Sequence, residues 1–440
     1  MRSLHARCVA TALGLLSLAG GATAQDVGAP ALFPIPSPAA FPVAQTAAND
    51  WYAGAASDAG QPLPSPSDAP IQKSVINPDY RGAMQGNWDG PATAAGGCAT
   101  GLCDAGCGRG KYIYANGLVM THEKNGGFVT SVDGTSGDPE LLFCSPEYGG
   151  IWHGGFELGT GWSFGCAGER GLEVVYWGLY AAPGTVTATG DLDSLIDFGD
   201  LDYNGGTGND IYDGAAAHRL DFDQGFHSLE VNLLGNYGGP LGGGRCGGCA
   251  MPDSSRMGFG WLAGFRYINF TEDWLFSSDF SGTSFDNDAD QLNYEVDLQN
   301  NLFGFQMGAG LNYCVTDRFQ AYSVAKFGVF GNDIQMQQRV YGSAGSGVLS
   351  TGDFAGDDYL IDASDLDLSF AGQMDIGGRY NINHHWSADF GYRLLGLSGV
   401  AISEDNVAQG DFQNVLGISD IQTTGSLILH GGYAGLTYCW

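Results

Sequence analysis

The amino-acid sequence predicts an all-β protein, an antiparallel up-and-down transmembrane β-barrel of about 12 strands (range 10-14). Three observations predict this fold: long segments in which apolar and polar residues alternate, connections that alternate between short and long, and an apolar final segment rich in aromatic residues. The composition agrees, because the chain has 72 glycines, 24 Phe, 20 Tyr and 9 Trp. Glycine suits tight turns and closely spaced strands, and aromatic residues form the girdles of membrane barrels.

Alternation with a two-residue period is clearest in residues 366–380, LDLSFAGQMDIGGRY, whose leucines and phenylalanine share one face and whose aspartates share the other. A soluble β-sandwich alternates in the same way, so it is the competing fold. Strand length favours the membrane barrel. The alternating segments 292–314 and 318–340 are far longer than an ordinary strand of about 5 to 6 residues.

The segments between turn signals predict strands near 111–123, 151–164, 170–182, 214–223, 226–237, 256–270, 273–278, 292–314, 318–340, 366–380, 385–399 and 425–440. Short connections fall at 165–169, 224–225, 271–272, 315–317 and 381–384. Long connections fall at 124–150, 183–213, 238–255, 279–291, 341–365 and 400–424. Tight turns at one end and long loops at the other are typical of bacterial outer-membrane barrels, and they predict that both termini are periplasmic. Leu298 and Phe303 are out of phase, which predicts a β-bulge near Asn300 and Asn301.

The N-terminal region predicts export and a three-part organisation. Residues 1–24 combine Arg2 and Arg7, the apolar run CVATALGLLSLAG and the small-residue site Ala22-Thr23-Ala24, which is the pattern of a secretory signal peptide. Residues 25–110 are a Pro/Ala/Gly-rich segment predicted to be largely disordered, with ten of the 16 prolines before residue 80. Residues 111–440 are predicted to form the barrel, and the predicted location is the outer membrane of a bacterial cell.

The last eleven residues, HGGYAGLTYCW, place Leu436, Tyr438 and Trp440 on one side of a two-residue period. This stretch resembles the closing strand of outer-membrane barrels, which ends on an aromatic residue. The resemblance implies that the barrel assembly machinery is a partner and that outer-membrane lipids surround the folded chain.

The charge of the chain is strongly acidic, with a formal net charge of −31. An acidic surface argues against nucleic acid as a partner. Most of the acid falls in the long connections, which carry 25 Asp plus Glu against Lys124 and Arg245. Such loops are expected to concentrate cations at a pore mouth. Weak Ca²⁺ sites and a solvated acidic surface are both open readings of them, and the Ca²⁺ candidates are Asp191, Asp193, Asp357 and Asp358.

The polar faces of the predicted strands are expected to line the lumen. The candidates are Arg219, Asp221, Glu230, Arg266, Glu295, Asp297, Lys326, Asp375, Arg379, Asp389 and Arg393. Mixed charges could form a transverse field across a channel, or they could pair with one another and fill a narrow barrel. The sequence leaves both readings open.

Cysteines and histidines give no pattern that specifies a catalytic or cofactor site. Cys98, Cys103 and Cys107 are spaced C-x4-C-x3-C, and Cys246 and Cys249 form a CxxC. In an exported chain these spacings favour disulfide bonds over zinc or redox sites, because no thioredoxin-like context accompanies them. No motif constrains a Ser-His or Asp-His pair. The sequence therefore predicts neither an enzyme nor a cofactor.

Three stretches carry a family resemblance: HSLEVNLL at 227–234, GFRYINFTEDW at 264–274 and NNLFGFQMGAGLNY at 300–313. With the signal peptide and the Pro-rich lead, they resemble the putative beta-barrel porin-7 family of outer-membrane proteins. The resemblance would cover roughly residues 111–440. It implies a membrane barrel and brings no catalytic residues with it.

Three functions follow as hypotheses. The first is a porin-like channel for small hydrophilic solutes, with a preference for cations from the acidic loops. The second is a structural or surface protein of the outer membrane, with a filled barrel and loops that mediate interactions. The third, a membrane-embedded hydrolase, would require a catalytic pair at one rim.

Overall fold

The structure, a computed structural model, describes residues 110–124, 129–135, 152–164, 170–180, 183–237 and 256–440. All of them belong to one compact unit. The predicted signal peptide and residues 25–109 of the Pro-rich segment lie outside the described residues.

In the described part of the chain, ten long strands form the barrel wall: β1 (Lys111–Lys124), β3 (Trp152–Phe164), β4 (Arg170–Leu179), β8 (Ala215–Tyr237), β9 (Met257–Asp279), β10 (Gln291–Cys314), β11 (Phe319–Gly342), β14 (Leu360–Asn381), β15 (Trp386–Val400) and β16 (Gly425–Cys439). Shorter strands lie in the connections: β2 (Ser131–Asp133), β5 (Gly184–Ser194), β6 (Leu201–Tyr203), β7 (Gly206–Thr207), β12 (Gly345–Ser346) and β13 (Val348–Leu349). The helices are single turns: α1 (Asn209–Tyr212), α2 (Ser403–Asn406) and α3 (Val415–Ile418). None of the described helices is long and apolar enough to span a membrane.

The wall closes into a cylinder. Its strand order is β8-β4-β3-β1-β16-β15-β14-β11-β10-β9, and the antiparallel pairing of β9 with β8 joins the two ends. Where β4 ends, β5 continues the ladder along the upper part of β8. The predicted fold class is confirmed, with ten closed strands at the lower end of the predicted range.

Two predicted turns, at 224–225 and 271–272, are wrong, and this explains the lower count. Gln224 pairs with Glu272 and Gly225 with Thr271, in a ladder that runs without a register shift from Ala217 to Tyr237. A Cβ atom at Gly225 would lie 2.7 Å from Thr271 Oγ1, so the glycine permits a close cross-strand approach. The Gln224-Gly225 pair, which predicted a turn, instead marks a place where two neighbouring strands pack closely.

Because β8 and β9 are continuous, the strand ends on either side of residues 238–256 lie at the opposite end of the barrel from the one predicted. β8 ends at Tyr237 and β9 begins at Met257, both at the end where the chain terminates. That end is marked by the reciprocal hydrogen bonds between Lys111 and Trp440, each 3.0 Å long. Residues 238–255 lie outside the described residues, but the two strand ends that flank them are at the end of the termini and not at the opposite end, as the prediction had placed them. At the same end lie the short connections 315–318 and 382–385, and also the paired strand ends Phe164 and Arg170.

The predicted β-bulge at Asn300 and Asn301 is also wrong. Strand β10 pairs with β9 in unbroken register from Gln291 to Tyr313. Phe305 and Met307 face outward and are 75% and 68% exposed, whereas Tyr294 and Val296 face inward and are fully buried. The apolar residues thus change face along one regular strand.

This change of face divides the barrel into two parts. In the membrane half, which runs from the termini to about the level of Asn300, the outside is apolar and the inside combines paired charges with buried apolar and aromatic side chains. In the cap, the outside is polar and the inside apolar, as expected for a wall that has left the lipid. The cap comprises wall residues 215–224, 271–279, 291–299, 332–342 and 360–365 with connections 183–214, 280–290, 343–359 and 401–424.

Aromatic residues mark both edges of the membrane half. Near the termini, Trp386 packs on Tyr438 and Tyr438 stacks on Trp440, with ring centroids 4.9 and 5.7 Å apart. Toward the cap, outward-facing tyrosines bond to polar side chains, as in the 2.9 Å bond from Tyr267 Oη to Asn301 Oδ1. A phenol with an apolar ring and a polar tip suits the boundary between lipid and water.

Candidate functional site in the barrel lumen

The lumen of the membrane half contains most of the predicted lumen residues. The inward-facing ones are Glu230, Arg266, Lys326, Asp375, Arg379, Asp389 and Arg393. Six of them are buried and Lys326 is nearly so, its side chain being 11% exposed. The structure brings them together in three connected groups.

The other four predicted lumen residues face outward: Arg219, Asp221, Glu295 and Asp297 lie on the outer wall of the cap. The prediction failed for them because it took the polar face to be the inner face at every height. On the outer wall they pair with one another or with neighbours, as in the 2.7 Å contact of Arg219 Nε with Asp221 Oδ2. Arg339 Nη2 lies 2.6 Å from Glu295 Oε2.

The outer wall of the cap is acidic enough to perturb its own carboxyl groups. Partial burial, together with the charges of Glu295 and Asp273, raises the pKa of Asp297 to about 6. Partial burial and nearby carboxylates also raise the pKa of Asp273. Both residues lie beyond the apolar belt. They line an open pocket of about 660 Å³, together with Asp333 and Asp362.

The first group inside the lumen is centred on Glu230, whose side chain is fully buried. Lys326 Nζ lies 2.9 Å from Glu230 Oε2, and Arg266 Nε lies 3.6 Å from Glu230 Oε1. The amides of Asn232 and Gln306 also donate to Glu230 Oε2, at 3.0 and 2.7 Å. A buried carboxylate is tolerated when cations and hydrogen-bond donors surround it in this way.

The second group is centred on Arg393. Its Nη1 lies 2.6 Å from Glu157 Oε2, and its Nε lies 2.6 Å from Asp375 Oδ1. Gln373 links this group to the first, because its amide donates to Asp375 Oδ2 at 2.7 Å while its oxygen accepts from Arg266 Nη1 at 3.0 Å. The two groups therefore form one network across the lumen.

One aromatic ring lies close to both buried guanidinium groups. Trp177 is fully buried, and the Cζ atoms of Arg266 and Arg393 lie 5.9 and 5.0 Å from its ring centroid. Cation–π contacts of this kind strengthen in a dry environment. They fix both cations near the middle of the barrel.

The third group lies nearer the termini. Arg379 Nε is 2.6 Å from Asp389 Oδ1, and Thr437 Oγ1 donates to Asp389 Oδ2 at 2.5 Å. Beside it, the hydroxyls of Tyr322 and Tyr433 are 2.8 Å apart.

Three lumen residues were missed by the sequence reasoning: Glu157, Glu173 and Asn116. Asn116 Nδ2 donates to Glu157 Oε1 at 2.8 Å, and Tyr112 Oη donates to Glu173 Oε2 at 2.6 Å. All lie in phase with the alternation of their strands. The two-residue period could have found them, had the polar faces of the first three wall strands been read as fully as those of the later ones.

Little open space remains among these side chains. The cavity between them has a volume of about 50 Å³ and is lined by, among others, Asn116, Lys326, Asp389 and Arg393. A buried water needs roughly 10–15 Å³ measured in this way. This cavity accommodates a few water molecules.

Above this network, the 401–424 connection turns into the barrel. Ala401, Ile402 and Ser403 are fully buried. Asn300 holds the entry with two bonds, donating to the Ala401 carbonyl at 2.8 Å and accepting from the Ala401 amide at 2.9 Å. Glu272 Oε2 accepts from the amide and hydroxyl of Ser403, each at 2.7 Å, at the start of α2.

The interior of the cap is an apolar core built from wall strands and connections together. Phe198 stacks on Tyr212 with centroids 3.9 Å apart and packs on Phe412 at 5.2 Å. Gln338 joins two of the buried tyrosines, because its Oε1 accepts from Tyr294 Oη at 2.8 Å and from Tyr359 Oη at 3.0 Å. The sequence analysis missed this core, although the change of phase between Leu298 and Phe303 was its signal.

The remaining predicted residues are placed as follows. Leu436 and Trp440 face outward and are exposed, and Tyr438 packs beside Trp440. The predicted disulfide cysteines, Cys98, Cys103, Cys107, Cys246 and Cys249, lie outside the described residues. No group of three or more metal-ligating side chains is arranged for a metal ion in the described ranges. The Ca²⁺ candidates Asp191, Asp193, Asp357 and Asp358 therefore do not form such a group with described neighbours.

A closed antiparallel wall with an apolar outer belt and aromatic edges has the fold of an outer-membrane β-barrel. The model of the family described as Putative beta barrel porin-7 (BBP7) matches residues 236–414, which confirms the resemblance found in the sequence over that range. The match runs from the end of β8 through β15 and into the connection that fills the cap.

Solved structures of outer-membrane proteins are also similar to the chain. The outer membrane protease OmpT from Escherichia coli is 10% identical, with 76% of this chain and 96% of that chain covered and a TM-score of 0.36. A major outer membrane protein from Thermus thermophilus is 10% identical, with 75% and 99% covered and a TM-score of 0.27. A Pseudomonas aeruginosa FadL homologue is 8% identical, with 76% and 90% covered and a TM-score of 0.24. No curated protein matches the chain.

Proposed function

We propose that this protein is a structural or surface protein of the bacterial outer membrane, whose barrel is closed to ions and hydrophilic solutes and whose cap presents the functional surface. The observation that carries the proposal is the filling of the lumen. Paired charges occupy the membrane half and an apolar core occupies the cap. The proposal assigns no catalytic activity to the chain.

Energetics support a stable closed state. Separating one partner from a buried ion pair costs about 3–5 kcal/mol, because the other charge is left in a dry environment. Opening the membrane half would separate the Glu230 group, the Arg393 group and the Arg379–Asp389 pair together. Opening the cap would also expose Phe198, Tyr212 and Phe412 to water, at about 1.5–3 kcal/mol for each large side chain.

The orientation is part of the proposal. Among the described connections, the short ones at 315–318 and 382–385 lie at the end that carries Lys111 and Trp440, and the longer ones at 183–214, 280–290, 343–359 and 401–424 lie at the other end. In outer-membrane barrels the short turns are periplasmic. We therefore place both termini in the periplasm and the acidic cap outside the cell, after export directed by residues 1–24.

Planar-bilayer recording of the refolded full chain tests the proposal. We expect insertion without conductance steps. A triple variant, Glu157→Ala, Asp375→Ala and Arg393→Ala, removes one complete charge group without leaving an unpaired partner in it, and we expect it to show small steps. Discrete steps from the unmodified protein would overturn the proposal.

The second candidate is the porin-like channel for small hydrophilic solutes with a preference for cations. The acidic connections of the cap and the porin description of the matched family support it. It predicts steps in the unmodified protein and a cation-selective reversal potential under a salt gradient. Replacing Asp357 and Asp358 by Asn would then reduce that selectivity, because fewer fixed negative charges would face the entrance.

A further inference from the structure

The mouth of the barrel, at the end that carries Lys111 and Trp440, is lined by side chains that are hidden from water. Five of them face inward at this rim and are at most 7% exposed: Ser163, Asn312, Gln320, Ser387 and Cys439. The turns beside them, 315–318 and 382–385, are exposed and so do not provide the cover. Serine, asparagine and glutamine at an uncovered mouth would be in contact with water. The burial of this rim therefore indicates that another segment of the chain lies across the mouth.

One of these side chains lacks a hydrogen-bond donor. Asn312 lies on β10 in register with Gly258 and Tyr322, and its Oδ1 is buried and accepts no hydrogen bond from the described residues. A buried amide oxygen without a donor is destabilising, and such groups are rare in folded proteins. A peptide segment seated in the mouth would offer backbone N–H groups to this oxygen.

Two cysteines of the barrel wall lie at this end, and both Cys314 and Cys439 are disulfide-bonded. They are not bonded to each other, because β15, β14 and β11 separate β16 from β10 in the wall. Neighbouring strands are about 4.8 Å apart, and a disulfide requires Cα atoms within about 7 Å of each other. The partner of Cys439 is therefore a cysteine outside the described residues.

The segment that precedes β1 leaves the wall beside Cys439. Tyr112 is directly opposite Cys439, and the Gly110 carbonyl accepts a 2.8 Å bond from the Ser163 amide. Three cysteines lie within 12 residues of Gly110: Cys98, Cys103 and Cys107. Twelve extended residues span about 40 Å, which is ample for a return into a narrow barrel. The glycines among residues 96–110 permit the chain to turn back.

We propose that residues 98–109 dock in this mouth and that a disulfide from Cys439 to one of Cys98, Cys103 and Cys107 holds them there. Each of the two thiols loses its proton as the S–S bond forms, and the two electrons pass to a disulfide-exchanging oxidant of the exported compartment. The docked segment closes this end of the barrel and fixes the Pro-rich residues 25–97 to it. The proposal goes beyond the closed lumen proposed above, because it holds whether or not the barrel conducts.

Tryptic mapping of the full chain, purified without reductant and with thiols blocked before denaturation, tests the bond. Cleavage after lysine and arginine leaves Cys439 as the single cysteine of residues 394–440 and places the three candidates together on residues 82–109. The other cysteines of the exported chain fall on residues 125–170, 246–256 and 267–318. We expect residues 394–440 to be linked to residues 82–109. A link to any other peptide, or a blocked thiol at Cys439, would overturn the proposal.

Limited digestion of the folded barrel with trypsin tests the docking. Arg109 lies in the docked segment and Arg81 precedes it. We expect Cys439→Ser to speed cleavage after Arg109 by about tenfold, because the segment is no longer held in the mouth, and to leave cleavage after Arg81 unchanged.

Cys314→Ser is the matched control, because it removes the other disulfide of the described wall at the same end, and Arg109 should stay protected in it. Heat-modifiable electrophoretic mobility reports whether each variant is folded. Equal cleavage after Arg109 in the unmodified protein and in folded Cys439→Ser would overturn the proposal, and so would the same acceleration in Cys314→Ser.

Discussion

The membrane half and the cap share most of their strands, yet the outer surface is apolar in the membrane half and polar in the cap. In β10, Phe303 and Phe305 face outward in the membrane half, whereas Tyr294 and Val296 face inward in the cap. The inside of the membrane half combines ion pairs with a buried apolar cluster, whereas the inside of the cap is an apolar core of packed aromatic rings. Alternation decides which residues share a face, and the surrounding solvent decides which face is apolar.

The largest expected effect concerns the buried ion pairs inside the membrane half. Glu230→Ala leaves Arg266 and Lys326 in the lumen without their carboxylate, and we expect a loss of about 3–5 kcal/mol in the free energy of unfolding. Urea unfolding of the refolded barrel measures it. The control is Glu295→Ala, which removes a partly exposed pair with Arg339 on the outer wall and should cost less than about 1 kcal/mol. Equal losses of unfolding free energy in Glu230→Ala and Glu295→Ala would mean that ion pairs in the lumen stabilise the barrel no more than those on the outer wall.

The apolar core of the cap predicts the next effect. Phe198→Ala removes a buried ring from between Tyr212 and Phe412, and we expect a loss of about 3 kcal/mol or more through the cavity that it leaves. Hydrogen exchange of the cap amides measures this loss locally. Phe305→Ala on the lipid face is the control, and it should leave exchange in the cap unchanged. A cap that exchanges as slowly in Phe198→Ala as in the unmodified protein would contradict the assignment of this core.

Acid should loosen the cap through His218, which lies on β8 beyond the apolar belt. Burial lowers the pKa of His218 to about 4, and its ring bonds Ser131 Oγ at 2.7 Å and the Tyr212 carbonyl at 3.0 Å. Since the folded state favours the neutral ring, its contribution is complete above the ordinary pKa of about 6.5 and is lost as pH falls toward 4. Between pH 7.5 and pH 5 the loss is about 2 kcal/mol.

Cap stability measured at both pH values, in the unmodified protein and in His218→Gln, isolates this effect. Asp297 titrates in the same window with the opposite sign, because its raised pKa makes the folded cap more stable as the group gains its proton. That contribution is common to both proteins and cancels in their difference. An identical pH dependence in the two proteins would show that His218 is not responsible.

The smallest expected effect concerns two glycines of the barrel wall, of which Gly372 faces the lipid and Gly431 faces the lumen. A Cβ atom at Gly372 would meet nothing within 4 Å, whereas one at Gly431 would lie 2.1 Å from the Val119 carbonyl oxygen. Gly372→Ala should therefore change the free energy of unfolding by less than about 0.5 kcal/mol, and Gly431→Ala should lower it by about 1–3 kcal/mol. The pair is compared by urea unfolding. A large effect at Gly372 would point to a contact outside the isolated barrel.

The sequence by itself determined the barrel, its long strands, the apolar closing strand and the family resemblance, because alternation and strand length are local properties. It also identified Glu230, Arg266 and Arg393 as inward-facing residues, since each lies in the membrane half, where the polar face is the inner one.

Only the tertiary structure decided where the wall leaves the lipid, and so which face of Glu295 and Asp297 is the outer one. It also decided that Gln224 and Gly225 continue a strand, because their partners Glu272 and Thr271 are about 50 residues away in the chain. These outcomes depend on height in the membrane and on contacts between distant segments, and no local pattern records either.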